Sequence, residues 1–312
     1  MPKKIAFFGI FERPFDTEVY IANSLKLLGH TVETFDMVNV SIPEIERILK
    51  EDFDFYLFSK GWFKRNDIAV QKVKESGKLT VGWFFDLTIN TTRQERMLGH
   101  LAYLSDIVFT TDGGKEKEFK KLNINHKLLR QGIYEPEAYM SEFTGYKEEV
   151  VFLGTSCHDV YFSWNFRAKL LKWLKETYKE KFNWYGAKDG IRNDDLNRLC
   201  ANTKVFVGDS VYSPHYWSNR LYEIIGRGGF LIFPNIPGIE KEFTPYEHFV
   251  PYNQGDLAGL KEKIDHYLEN TEEREKIRKA GFEHCKKHHT YKIRCAELIK
   301  VVEEYASRNK KS

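Results

Sequence analysis

One pattern constrains this chain more than any other. Short apolar runs rich in β-branched and aromatic residues alternate with helical stretches of roughly 10–15 residues. In the first half the apolar runs are Lys4–Ile10, Thr31–Phe35, Phe53–Phe58, Leu79–Phe84 and Ile107–Thr110. Helices are predicted between them: from Asp16 to Gly29, then Ile42–Lys50, Asp67–Ser76, Thr92–Leu104 and Lys115–Leu122. Asp16 stands where an N-cap is expected and Gly29 where a helix should stop. Strands joined by helices pair in parallel through right-handed crossovers, so the alternation predicts a doubly wound parallel sheet.

Between Gly132 and Glu149 the alternation fails. Tyr134-Glu135-Pro136 opens a polar, turn-rich stretch, read as a linker over 134–149. The pattern then resumes, with strands at Val150–Leu153, Phe182–Tyr185, Lys204–Val207 and Phe230–Phe233. Helices are expected at Trp164–Tyr178, Asp194–Ala201, Asn219–Ile225, Leu257–Glu269 and Thr271–His288, and a last one from about Tyr291 to Ser307. The expected fold is α/β: two Rossmann-like domains, 1–133 and 150–290, facing each other across a cleft. The C-terminal helix, 291–312, is expected to cross back and brace the first domain. At 312 residues the chain exceeds what a single core fills, in agreement with two domains.

Composition excludes several classes. Apolar residues at 42% and charged residues at 30% describe a folded chain rather than a disordered one. No apolar run approaches the ~20 residues of a membrane-spanning helix. The run after Met1-Pro2-Lys3-Lys4 is too short for a secretion signal and no cleavage site follows it, so a cytoplasmic protein is expected. Cys157, Cys200, Cys285 and Cys295 show no CxxC spacing and read as reduced thiols. The net charge of +3 neither demands nor excludes a polyanionic partner.

Ligands of parallel sheets sit at the carboxyl ends of the strands, so the chemistry belongs to the loops there. Gly154-Thr155-Ser156 follows a strand, with Arg167 near the start of the next helix. Small residues, open backbone amides and a guanidinium can cradle phosphate oxygens, although an ordinary strand-to-helix turn has the same look. Neither GxGxxG nor GxxxxGK[ST] follows a first strand, which argues against dinucleotide oxidoreductases and P-loop enzymes. Ser218, Asn219 and Arg220 offer a cap and a cation for an anion site, and Glu223, one turn on, is suited to two ribose hydroxyls.

The run Arg220-Leu221-Tyr222-Glu223-Ile224-Ile225-Gly226-Arg227-Gly228-Gly229 resembles the R-x-x-E-x-x-x-x-G-G core of the CgeB-like (spore-maturation) group-1 glycosyltransferases. Phe152-Leu153-Gly154-Thr155 with Arg167, Trp184-Tyr185-Gly186, and the tail Glu273-Arg274, Ala280-Gly281, His289-Thr290-Tyr291 and Arg294 match in the same order. The resemblance covers roughly residues 150–300. It implies a GT-B fold with a nucleotide-sugar donor, a UDP-sugar first, on the second domain and an acceptor on the first. By position it assigns the ribose to Glu223 and the diphosphate to Gly154, Thr155, Arg167, Ser218, Asn219 and Arg220. The base would lie beside Tyr185 and Gly186.

One position departs from that family. A glutamate often stands eight residues before the ribose-binding one, and here it is His215. Retaining stereochemistry is therefore open. An inverting reaction needs a base from the first domain, for which Asp86 at a strand's carboxyl end stands first, followed by Glu12 and Asp16. Such enzymes stabilise the leaving diphosphate with cationic side chains and helix ends, so no metal is expected. Asp52-Phe53-Asp54 lies at the wrong end of its strand, and His284, His288 and His289 with Cys285 read as a helix C-terminus.

The expected acceptor is a hydroxyl of a saccharide or other small molecule. A second reading is DNA carrying hydroxymethylated pyrimidines, met by the basic and aromatic Trp62, Lys64 and Arg65 and by Trp83 as a stacking surface. A third, from another class, is a nucleotide-sugar-binding module without turnover.

Overall fold

A computed structural model describes residues 1–59, 67–155 and 166–309. The chain divides into two compact units, residues 1–131 with 291–312 and residues 132–290.

The first unit is a six-stranded parallel sheet in the order β2-β1-β3-β4-β5-β6. Its strands are β1 (Lys4–Gly9), β2 (Thr31–Asp36), β3 (Phe55–Phe58), β4 (Thr80–Phe84), β5 (Ile107–Thr110) and β6 (His126–Leu128). Helices α1 (Thr17–Leu27), α2 (Ile42–Leu49), α3 (Asp67–Glu75), α4 (Gln94–Leu98) and α5 (Glu116–Lys121) connect them. The helix expected over Thr92–Leu104 is two pieces, α4 and a 3-10 turn at Leu101–Leu104. His100 breaks it: its imidazole accepts the Ala102 N–H at 3.1 Å and starts the second piece.

The second unit is a five-stranded parallel sheet in the order β11-β10-β9-β7-β8. Its strands are β7 (Glu148–Leu153), β8 (Phe182–Tyr185), β9 (Thr203–Val207), β10 (Leu231–Pro234) and β11 (Val250–Tyr252). Its helices are α6 (Phe166–Tyr178), α7 (Asn193–Asn202), α8 (Arg220–Ile225), α9 (Leu257–Glu269) and α10 (Thr271–His288). Along β7, Val150 and Phe152 enter one apolar cluster while Val151 and Leu153 enter another. Alternate side chains thus fill both faces of one buried sheet, which is why its strands read as unbroken apolar runs.

The segment read as a linker, 134–149, lies within this second unit. Glu137 pairs with the buried Arg227, and Thr144 N–H donates to Asn202 at 2.9 Å. The C-terminal helix α11 (Tyr291–Asn309) belongs to the first unit, where Tyr291 meets the rings of Tyr20 and Trp83 and Cys295 lies against the Ile21 carbonyl.

Candidate active site

Each sheet has one place where consecutive connections leave in opposite directions, and there the strand ends open a crevice. In the second unit it lies between β7 and β9. Val207 leads into Gly208 and Asp209, and Asp209 is fully buried. Its carboxylate accepts Arg167 Nε at 2.7 Å and Arg220 Nη2 at 2.9 Å. Arg167 also donates to the Thr155 carbonyl at 3.0 Å, tying α6 to the end of β7.

Two guanidiniums thus share one carboxylate. Burial pushes the Arg220 guanidinium down from its ordinary value; Asp209 holds it up and the nearby Arg167 lowers it further. Arg220 Nε is buried with no hydrogen-bond acceptor among the described residues. Gly154 faces it at φ 146°, and a Cβ there would stand 2.9 Å from an Arg220 nitrogen. Only glycine fits both the backbone and the approach.

Glu223 lies one turn along α8, where Asn219 donates to it at 3.2 Å and the buried Arg227 pairs with it. Burial pushes its carboxyl up, against Asn219 and Arg192, which favour the ionised form. Direct contact with Arg227 favours the carboxylate further. Arg227 also pairs with Glu137 and donates to Asn197 at 3.0 Å, so it is a clamp that holds Glu223 in place. Asn219 occupies the N-cap position of α8 without a capping bond, and Ser218 Oγ accepts the Arg220 N–H at 3.4 Å instead.

Other expected donor contacts fall differently. Tyr185 sends its hydroxyl to Glu148, the first residue of β7, at 2.9 Å, away from the strand's carboxyl end. Its neighbour Trp184, 43% exposed, donates its indole N–H to the Gly154 carbonyl at 2.7 Å. The indole, rather than the phenol, therefore stands beside the crevice. Gly186 N–H is held by Asp189 in a capping turn. His215 is in the loop before α8, not on the helix, at φ 62°, and its N–H donates to the Pro237 carbonyl at 2.7 Å.

In the first unit the corresponding crevice lies between β1 and β3. Glu18, in the first turn of α1, is fully buried, and Ser59, just after β3, donates to it at 2.9 Å. A Cβ on Gly9 would stand 2.8 Å from Glu18 Cγ. Neither Glu18 nor Asp209 was expected as a site residue. Asp16, expected as a base or a cap, is buried and binds Arg13 through both its N–H and its guanidinium, at 3.0 and 2.7 Å. Glu12 is exposed in the same loop.

Asp86 follows β4, half-exposed, with Arg93 at 3.8 Å. Its loop is braced from below: buried Asp112 accepts the Thr88 and Ile89 N–H groups at 2.9 and 2.8 Å. Burial pushes the Asp112 carboxyl up to about 6 despite those bonds. Trp83, expected as an acceptor surface, is 1% exposed and donates to the Leu129 carbonyl at 3.2 Å. It is a core side chain, because β4 is covered on both faces. Trp62, Lys64 and Arg65 lie outside the described residues. Among the described residues no group of three or more His, Cys, Asp or Glu is arranged to hold a metal ion.

Residues 167–300 match the family model described as "Glycosyl transferase-like". No curated protein matches the chain in sequence. Among solved structures, sucrose-phosphate synthase from Thermosynechococcus elongatus superposes with a TM-score of 0.67 at 11% identity, over 98% of this chain and 100% of that one. Anabaena HepE in complex with UDP and glucose gives 0.65 at 11%, over 97% and 100%. An alpha-glucosyltransferase in complex with UDP-glucose and DNA containing an abasic site gives 0.71 at 10%, over 97% and 100%. The fold is GT-B. Residues 167–300, from α6 into α11, carry the glycosyl transferase-like sequence pattern on that fold.

Proposed function

We propose that this chain is a glycosyltransferase of the CgeB-like kind, moving a sugar from a UDP-sugar to a hydroxyl of a saccharide or other small molecule, without a metal. The observation that carries the reading is the pair Arg167 and Arg220 on the single carboxylate of Asp209, beside Gly154. Two guanidiniums at strand ends stabilise the diphosphate as it leaves, the task a metal performs elsewhere. Glu223, held by Arg227, accepts the ribose hydroxyls, and Trp184 offers a face to the base.

In the first unit Asp86 is the base that takes the acceptor proton, with Glu12 as the other accessible carboxylate. Asp16 is committed to Arg13 and drops out of that role. His215 in place of a glutamate supports an inverting course. The reading belongs to a cytoplasmic enzyme, in keeping with buried thiols at Cys200, Cys285 and Cys295. No described helix is long and apolar enough to cross a membrane.

DNA is the second acceptor reading. It is favoured by the likeness to a solved alpha-glucosyltransferase–DNA complex and by exposed Lys117, Lys120 and Lys121 on and around α5. The test is a thermal-shift panel of UDP, GDP, ADP and their sugars on the wild type and Glu223→Ala. A ligand at 100-fold over its Kd adds about 2.7 kcal/mol. A shift with one nucleotide, lost in the variant, supports the donor site; no shift with any overturns it. A shift without sugar transfer or donor hydrolysis points to a binding module.

A further inference from the structure

We infer that the second unit holds a binding site for an uncharged saccharide, lined by none of the described residues of the arginine crevice. A cavity of about 540 Å³ opens at the carboxyl ends of β9, β10 and β11. Its described lining is Tyr212 from the loop after β9, Asn235 and Pro237 from the loop after β10, and Asn253 and Gln254 from the loop after β11. The volume falls in the range of small-molecule sites, roughly 300–1,000 Å³.

The lining decides the ligand class. None of those five side chains carries a charge, so a phosphate or carboxylate finds no counter-ion among them. Three carboxamides each present an acceptor beside two donors. Neighbouring hydroxyls of a sugar ring offer the complementary set, with an acceptor and a donor on every oxygen. Tyr212 is exposed and Pro237 lies beside the amides, giving flat apolar surface for the C–H face of the same ring. A nucleobase offers a single hydrogen-bonding edge and would leave much of this amide set unused.

Gln254 supplies an independent sign. Its Oε1 is buried with no hydrogen-bond partner among the described residues. An unmet acceptor is costly; the residue as a whole is only partly buried, and a turn of its carboxamide brings the oxygen to a ligand hydroxyl. The frame around it is firm. Asn235 N–H donates to the Tyr252 carbonyl at 2.8 Å, and buried Tyr252 donates its hydroxyl to the Gly208 carbonyl at 3.0 Å. Asp256 caps α9 through the Gly259 N–H at 2.9 Å, which fixes the turn that carries Asn253 and Gln254.

This inference stands apart from sugar transfer, since it rests on the cavity alone. It is tested by saturation-transfer NMR on the full chain with maltose, cellobiose, lactose and uridine. Gln254→Ala and Tyr212→Ala are compared with the wild type. Saturation of at least one disaccharide is expected without nucleotide, unchanged by saturating UDP. Affinity should fall about tenfold in Gln254→Ala, the scale of one lost hydrogen bond. Both variants should keep the wild-type melting temperature, and Asn253→Ala serves if either does not fold. Absence of transfer to all three disaccharides would overturn the site. So would displacement by UDP, undiminished binding in the variants, or uridine binding that the variants abolish.

Discussion

Glu18 and Arg167 occupy the same station in the two units. Each lies at the start of the helix that follows the first strand of its sheet, and each faces a residue that opens the loop after the third strand: Ser59 for Glu18, Asp209 for Arg167. The strand orders are alike, since both sheets place their first and third strands side by side. The fold therefore supplies the same crevice twice, and the side chains decide what it is for. In the first unit a buried carboxylate meets a hydroxyl. In the second, one carboxylate is shared by two guanidiniums. The second crevice thus brings two cationic groups to the strand ends.

Removing the shared carboxylate should have the largest effect. Asp209→Ala leaves two guanidiniums without their partner and is expected to cost about 3–5 kcal/mol. Glu18→Ala leaves the Ser59 hydroxyl without its acceptor and should cost about 1–3 kcal/mol. Urea unfolding of both variants measures the gap, and equal costs would break the comparison.

Ligand binding sharpens it. Arg220→Met should weaken UDP by roughly 10- to 100-fold, as expected for lost hydrogen bonds to a charged group. Glu18→Gln should leave UDP affinity within about twofold. Isothermal titration with each variant reads both numbers.

The pH dependence isolates the first unit's acid. Asp112 has its carboxyl raised from 3.8 to about 6 in the folded protein. Its contribution is therefore fully present below about pH 4 and is lost as pH rises through about 6, because the folded state holds the proton longer. The change across that window is on the order of 3 kcal/mol. Carbon-13 carboxyl titration should find one buried aspartate near pH 6; a midpoint near 4 would contradict the assignment.

The smallest effect concerns β8. Tyr185→Phe should cost at most about 1 kcal/mol, from its bond to Glu148, and leave UDP affinity unaltered. Trp184→Ala should lower that affinity. The reverse pattern, seen in the same titrations, would return the base to Tyr185.

These contrasts also mark what the sequence made legible. The long apolar strands were readable, and Gly154, Arg167, Arg220 and Glu223 stood out as candidates because small and charged residues follow strands there or share one short helix. β6 and β11 were not, being three-residue edge strands, one with Pro251 in its centre. Asp209 reads as part of a Gly-Asp turn, and Glu18 as an ordinary first-turn acid. Their burial depends on pairing across strands far apart in the chain. Trp83 shows the converse error: in a strand covered on both faces, alternation cannot tell core from site. Arg227 hides between two glycines that draw the reading to the backbone.

Hydrogen exchange with and without UDP-glucose tests the central claim most directly, because it asks which crevice the donor enters. Protection is expected around Gly154–Thr155 and from Ser218 through Arg227, with residues 9–18 and Ser59 unchanged. Protection confined to the first unit's crevice, or none in either, would contradict the account.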